Sequence, residues 1–334
     1  MNSTQATREM KKRGGGLAIQ FFMSPEIGIL IPIVIIMAIT ASINKSLLTW
    51  KYFSSILTGS IFIGMAALAQ SLVIMVGEID LSIGASGCLA GVVCGLASAN
   101  LGWPLIPCLL VTLVTGMLVG ALNGYMVTRL GLSSWITTLA TQFICQGLAL
   151  TLCDGLPISI EALGTKVFTR PKPLGLSWLF FIFIAAIIIL DFVVRKTTFG
   201  YRLRAVGGNK ESAQMAGISV NNVKLLVFVI AGALAAVSGL FDVLNSQAAS
   251  HTYGAGREFR AIICCAIGGI SMSGGQGSVY GVGLGVLLFH VLWNCLRLLK
   301  VDTNLQLVLI GAILILAVLM DLQRKRMEAK RILM

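Results

Sequence analysis

Charge is scarce in this chain. Only 11% of its 334 residues are charged, whereas 57% are hydrophobic and mean hydropathy is +0.92. A water-soluble domain of this size has no core large enough to hide that much apolar surface, so the composition indicates a polytopic membrane protein. Acidic residues are the rarer sign, 13 against 25 basic ones, for a net charge of +12. The excess sits in short clusters between apolar runs, as positive-inside membrane proteins carry it, and nucleic acid is set aside as a partner.

Catalytic material is equally thin. There are two histidines, His251 and His290, far apart in sequence, and no GxSxG elbow, HExxH pair or CxxC pair, so no catalytic constellation or thiol-redox site is indicated. No Gly-Lys dipeptide exists, so the chain cannot form its own Walker A phosphate cradle and energy for pumping must come from elsewhere. The eight cysteines Cys88, Cys94, Cys108, Cys145, Cys153, Cys264, Cys265 and Cys295 lie within or at the end of apolar runs. They read as small buried hydrophobes, neither a disulfide framework nor a zinc site. His290, between Phe289 and Val291, is expected to be packed in a helix; His251, in a polar connection, is placed where it could touch a solute. No cofactor or metal is expected on this chain.

What is abundant is length of apolar run. A hydrocarbon core ~30 Å thick needs roughly 20 apolar residues in a helix, fewer where neighbours bury the segment. On that ruler ten segments stand out: 27–43, 54–76, 81–99, 105–128, 134–152, 176–194, 223–244, 261–272, 279–299 and 305–320. The expected fold is all-α, a polytopic transmembrane helical bundle of about ten helices. Its parts are a cytoplasmic N-terminal segment 1–26, a transmembrane domain 27–321 containing a loop 195–222, and a basic tail 322–334. The first apolar run follows Arg8, Lys11, Lys12 and Arg13 without a small-residue cleavage site and is read as a retained helix. With that N-terminus cytoplasmic and ten alternating helices, the cytoplasmic side holds the clusters at 8–13, 129, 195–224 and 324–331. Those clusters contain 16 of the 25 Lys and Arg residues, which supports both termini and the 195–222 loop facing the cytoplasm.

Glycines spaced four apart, Gly91 and Gly95, Gly116 and Gly120, Gly281 and Gly285, are expected to let helix backbones approach closely in lipid. Two interruptions share Gly, Ile, Ser and Gly at matching places: GEIDLSIG from Gly77 and GGISMSGG from Gly268. Such similarity suggests two related halves with Gly-broken helices, the usual site of a transporter's solute path. An inverted repeat would put these breaks on opposite sides, yet the helix count puts both on the cytoplasmic side. Glu78, Asp80, Ser82, Ser271 and Ser273 are therefore candidates for the path or its gate. Glu78 and Asp80 have a plainer alternative as caps for the helix beginning near Leu81, and a proton or sodium site is a third reading.

The longest polar stretch, GYRLRAVGGNKESAQMAGISVNN from Gly200 to Asn222, looks like a contact surface. Asn209 is a good N-cap, 210–216 makes about two helical turns and Gly217 suits the stop. Ala213 and Ala216 would form a small-residue face for a partner's groove, with Arg202, Arg204 and Lys210 pairing with its acids. A solvated basic loop near anionic lipid is the alternative.

Three ordered motifs, GEIDLSIGA from Gly77, FGYRLRAVGGNKESAQMAGI from Phe199 and AIGGISMSGGQGSVYGVGLGVLL from Ala266, resemble the membrane permeases of bacterial ribose-type ABC sugar importers. The resemblance runs from about Phe53 to the final helix. It implies a permease dimer (homodimer, or heterodimer with a related permease), a cytoplasmic ABC ATPase subunit carrying ATP-Mg, a periplasmic sugar-binding protein, and an inner-membrane location. It also implies that Arg202, Arg204, Asn209, Lys210, Glu211, Ala213, Ala216 and Gly217 belong to a segment that docks on the ATPase. That family usually has Gly where this chain has Glu78, though acid forms occur. An ion-coupled secondary transporter, and an ABC permease for a nucleoside or other small polar solute, stay open as alternatives.

Overall fold

The computed structural model describes residues 25–160, 165 and 173–332. Arg8 to Arg13 and the rest of the N-terminal segment to residue 24 lie outside the described residues. Among those described are twelve helices: α1 (Pro25–Ile43), α2 (Trp50–Met75), α3 (Ile83–Ala99), α4 (Leu105–Thr128), α5 (Ser134–Leu152), α6 (Trp178–Lys196), α7 (Thr198–Gly208), α8 (Lys210–Met215), α9 (Val220–Ser246), α10 (Arg257–Ile267), α11 (Val279–Leu298) and α12 (Thr303–Ile332). Two short strands, β1 (Ile158–Ser159) and β2 (Ala248–Ala249), pair antiparallel.

Each of the ten expected apolar segments is helical, and six helices are long and apolar enough to cross a membrane. The interior is built on α2 and α9, with 78% and 61% of their most apolar windows buried, against 22% for α4. A helix apolar on every side is what such a central position requires. On α4, Ile106, Leu110, Val114 and Leu118 repeat every fourth residue and are all exposed. That stripe is the face a bilayer covers.

The spaced glycines pack as expected. A Cβ on Gly91 or Gly95 would press on Val243 or Ala249, one on Gly116 would overlap the carbonyl oxygen of Gly232, and one on Gly285 that of Cys264. Backbones in these seams touch directly, and side chains could not be inserted without separating the helices.

α2 and α9 run in opposite directions. Glu78, just after α2, meets Lys224 near the start of α9, whereas Lys51 near the start of α2 and Asn245 near the end of α9 line one cleft at the other end. Each is followed by a non-helical break and then a further helix. From Gly77 the chain climbs to Ser82 before α3 begins; from Gln247 it descends to Gly256 before α10 begins. The second break meets the first turn of α3 inside the bundle, where Gly254, at φ +83°, lies so close to Gly84 that a Cβ would overlap the Gly84 carbonyl oxygen.

The matching breaks are thus 77–82 and 247–256, not the two motifs paired by sequence. The 268–275 motif lies at the same end as Gly77, with Gly275 N–H donating to Met75 O at 2.8 Å. Its likeness to GEIDLSIG has a local cause. Helix α2 ends with Gly77 N–H bonded to Ile74 O and Glu78 N–H to Val73 O; α10 ends with Gly269 N–H bonded to Ala266 O and Ile270 N–H to Cys265 O. Both are Schellman stops with a left-handed glycine, Gly77 at φ +82° and Gly269 at +81°. The equivalent glycines are Gly77 and Gly269, one residue out of the sequence alignment.

Two further expectations shift. The segment 261–272 is helical only as Arg257–Ile267: charged Arg257, Glu258 and Arg260 belong to the helix, and the stop at Gly269 ends it early. The 195–222 stretch is a helix pair, since α7 precedes α8.

Candidate functional site

At one end of the bundle the C-terminus of α2, the 268–278 break, α7, α8 and the start of α9 converge. Thr197 starts α7 by accepting the Gly200 N–H at 3.3 Å. Gly207 lies on the Met75 carbonyl and next to Gly275 N, so no side chain fits there. Arg195, at the end of α6, donates to Asp191 at 2.9 Å and to Ser278 Oγ at 2.8 Å, fixing the same junction from the other side.

Asn209 caps α8, accepting the Ser212 N–H at 2.8 Å. The helix ends with Gly217, at φ +77°, bonded to Gln214 O and with Ile218 bonded to Ala213 O. Cap and stop stand where the sequence places them. The small-residue face does not: Ala213 is buried at 3% exposure within this chain, Ala216 is exposed, and Met215 is 82% exposed. A partner would meet Ser212, Met215 and Ala216. Glu211 is exposed in the first turn, Arg202 is exposed, and half-buried Arg204 donates to Gly200 O at 3.4 Å.

Glu78 links this helix pair to the break after α2. Its Oε1 accepts from Lys224 Nζ and lies 3.4 Å from Lys210 Nζ, the first residue of α8. Burial opposes ionisation of Glu78, but hydrogen bonds from Lys224 and Ser134 and the charges of Lys224 and Lys210 outweigh it, leaving its pKa below the ordinary carboxylate value. Glu78 therefore stays ionised at neutral pH.

Asp80 faces inward and is 3% exposed. Its Oδ1 accepts from Ser82 N–H and Ser82 Oγ, each at 2.7 Å, turning the chain just before α3. Ser82 Oγ also accepts from Asn123 Nδ2 at 2.9 Å, and Thr141 Oγ1 donates to Asn123 Oδ1 at 2.7 Å. Leu81 N–H donates to Thr138 Oγ1 at 2.9 Å. The extended segment, which lacks helical partners for its amides, is held by α4 and α5. Ser271 is half-buried and Ser273 exposed in the other break, with the Ser273 carbonyl oxygen facing Gly77. Glu78 and the 268–275 break thus come together, while Asp80 and Ser82 sit deeper in a separate network.

A second polar cluster escaped the sequence reading. Arg257 Nη2 lies 2.6 Å from Asp242 Oδ2, and Arg257 Nη1 donates to Ser238 Oγ at 2.9 Å, which donates to Phe62 O at 2.8 Å in the middle of α2. Glu258, 3% exposed, accepts from Gln142 Nε2 at 3.2 Å, and the Arg260 guanidinium lies 5.2 Å from the Trp293 ring centre. The available signal was three charges in four residues abutting an apolar run. Nor did spacing reveal that His251 Nδ1 is 3.6 Å from Cys153 Sγ. Among the described residues no group of three or more His, Cys, Asp or Glu could hold a metal ion.

Helices that span, break and are tied at one end to an exposed helix pair define a multi-pass membrane transport component. The chain belongs to the family described as branched-chain amino acid transport system / permease component, which matches residues 52–318. It is 32% identical to the xylose transport system permease protein XylH of Escherichia coli K12, over 88% of this chain and 90% of that protein. It is 33% identical to the ribose import permease protein RbsC of Bacillus subtilis 168, over 90% and 92%, and 32% identical to the L-arabinose transport system permease protein AraH of E. coli K12, over 80% and 81%. No solved structure matches the chain significantly.

Proposed function

We propose that this chain is the permease subunit of an importer that moves a monosaccharide across the inner membrane. ATP-Mg is bound and hydrolysed by a separate cytoplasmic ATPase chain, solute arrives from a periplasmic binding protein, and a second permease copy completes the path. The substrate class follows the names of the relatives, three of which are permeases for xylose, ribose and L-arabinose. The absent Walker A motif accords with an external energy source.

The observation that carries the mechanism is the joint made by α7 and α8. A push on exposed Met215 and Ala216 is passed by Lys210 and Glu78 to the break after α2, and by the Gly207 backbone to Met75 and Gly275. Closure of the ATPase subunits then rocks α2 and the 268–278 break together, opening the path away from the ATPase to receive solute. The positive-inside balance orients this joint toward the cytoplasm, with both termini on that side.

The test is uptake of labelled D-ribose, D-xylose and L-arabinose into vesicles holding the complete complex. Uptake of at least one, dependent on ATP-Mg and indifferent to an ionophore, is expected. Uptake that continues without ATP and follows an ion gradient makes the chain a secondary transporter instead.

A further inference from the structure

The end of the bundle remote from α7 and α8 carries a cleft of about 390 Å³, lined by Lys51, Ser54, Ser55, Thr58, Gly59 and Phe62 of α2, Gly175 and Ser177 before α6, and Asn245 of α9. Its size falls within the ~300–1,000 Å³ range of small-molecule sites. The lining is unusual for a chain this apolar. Four hydroxyls, of Ser54, Ser55, Thr58 and Ser177, and an amide line it with one ammonium group, and Ser177, 4% exposed, keeps a hydroxyl with no hydrogen-bond partner among the described residues.

The rim is built. Trp50 Nε1 donates to Leu174 O at 2.8 Å, holding a turn in which Leu174 and Gly175 both take left-handed backbone angles, φ +64° and +69°. A non-glycine residue in that region persists only where its surroundings enforce it. The floor leads inward. Phe62 lines the cleft and its carbonyl belongs to the Ser238, Arg257 and Asp242 network, while Asp242 lies one turn below Asn245 on the same face of α9. Asp242 Oδ2, although paired with Arg257, makes no well-aligned hydrogen bond, so acceptor capacity remains beneath the cleft.

We propose that this cleft is the solute-receiving site of the permease, taking a neutral polyhydroxylated solute the size of a pentose. Small hydroxyls and an amide both donate and accept, as a ring of sugar hydroxyls demands. The inference rests on the sugar-import reading above.

The experiment uses the complete complex in vesicles, with the three pentoses as probes. Thr58→Val and Asn245→Leu each remove one polar group and are expected to slow uptake by about 3- to 10-fold, the value of one net hydrogen bond. ATP hydrolysis stimulated by the loaded binding protein should persist, because the joint with the ATPase lies at the other end. Ser55→Cys, at an exposed position, should react with a membrane-impermeant maleimide from the outside and react more slowly while a pentose is transported; all eight native cysteines are buried. This variant decides the matter if either of the other two fails to assemble. A wild type that moves a pentose, with Thr58→Val and Asn245→Leu at full rate and Ser55→Cys labelling unaffected by solute, overturns the cleft and leaves sugar import standing. A wild type that moves none of the pentoses overturns both.

Discussion

Replacing Glu78 by Gln should cost far more than its position in a loop suggests. Its carboxylate serves two lysines in different settings: the Lys210 side chain is 55% exposed, whereas those of Lys224 and Glu78 are only 9% and 12% exposed. The Lys210 pair is a surface ion pair worth ~0–1 kcal/mol. Lys224 differs, since Glu78→Gln strands a largely buried ammonium, and breaking such a pair from one side costs ~3–5 kcal/mol. Gln keeps a carbonyl acceptor, so a loss of about 2–3 kcal/mol is expected. The assay is denaturation of the purified complex for Glu78→Gln, Lys210→Met, Lys224→Met and the Glu78→Gln/Lys224→Met double variant. Lys210→Met should lose less than ~1 kcal/mol, and the Glu78–Lys224 coupling should exceed ~1 kcal/mol. Acid provides a second readout. Because the folded pKa of Glu78 lies below its unfolded value of about 4.5, its contribution is complete above that pH and is lost as pH falls through the lower, folded value. That acid-labile component should be missing in Glu78→Gln. Equal small losses in Glu78→Gln and Lys210→Met, additive with Lys224→Met, would refute the bridge.

Gly207→Ala should prevent stable assembly, because its Cβ would overlap the Met75 carbonyl, whereas Gly208→Ala next to it meets nothing within 4 Å and should behave as wild type in yield and melting temperature. Asp80→Asn should reduce uptake more than Asp154→Asn at equal membrane abundance, since Asp80 anchors the buried turn before α3 while Asp154 is exposed; equal uptake removes Asp80 from the site. Gly217→Val meets open space but requires a β-branched residue at φ +77°, a strain of ~1–2 kcal/mol. It should leave insertion intact while lowering ATPase stimulation, and unchanged stimulation would show that the α8 stop is not needed for coupling.

Helices α4 and α5 could be read to the residue because each is a single apolar run with its turn signals at both ends. α8 was equally readable: an Asn cap and a Gly stop are local chemistry, and the structure uses both. α7 was missed because Gly200, Gly207 and Gly208 look like loop residues, yet Gly200 and Gly207 are glycines so that this helix can lie against the backbones at Val194 and Met75. The start of α10 was missed for the converse reason. Arg257 and Glu258 look like loop charges until Asp242, on the preceding helix, and Gln142, 116 residues from Glu258, are seen to answer them. Glu78 stood out as an acid beside an apolar run, but its lysine partners lie 132 and 146 residues away, which no local pattern encodes. Ala213 was assigned outward because helical spacing gives a face and not its direction; burial turned it inward.

The most direct test of the account is a crosslink from α8. In the complete complex, Met215→Cys, at a position 82% exposed, should crosslink to the ATPase subunit, while Asp154→Cys at the opposite end of the bundle should not. Ablating the Met215→Cys crosslink with Gly217→Val while uptake stops would tie the contact to transport. A Met215→Cys thiol that forms no crosslink to the ATPase and reacts with an impermeant reagent from outside sealed cells would contradict both the orientation and the coupling role of α7 and α8.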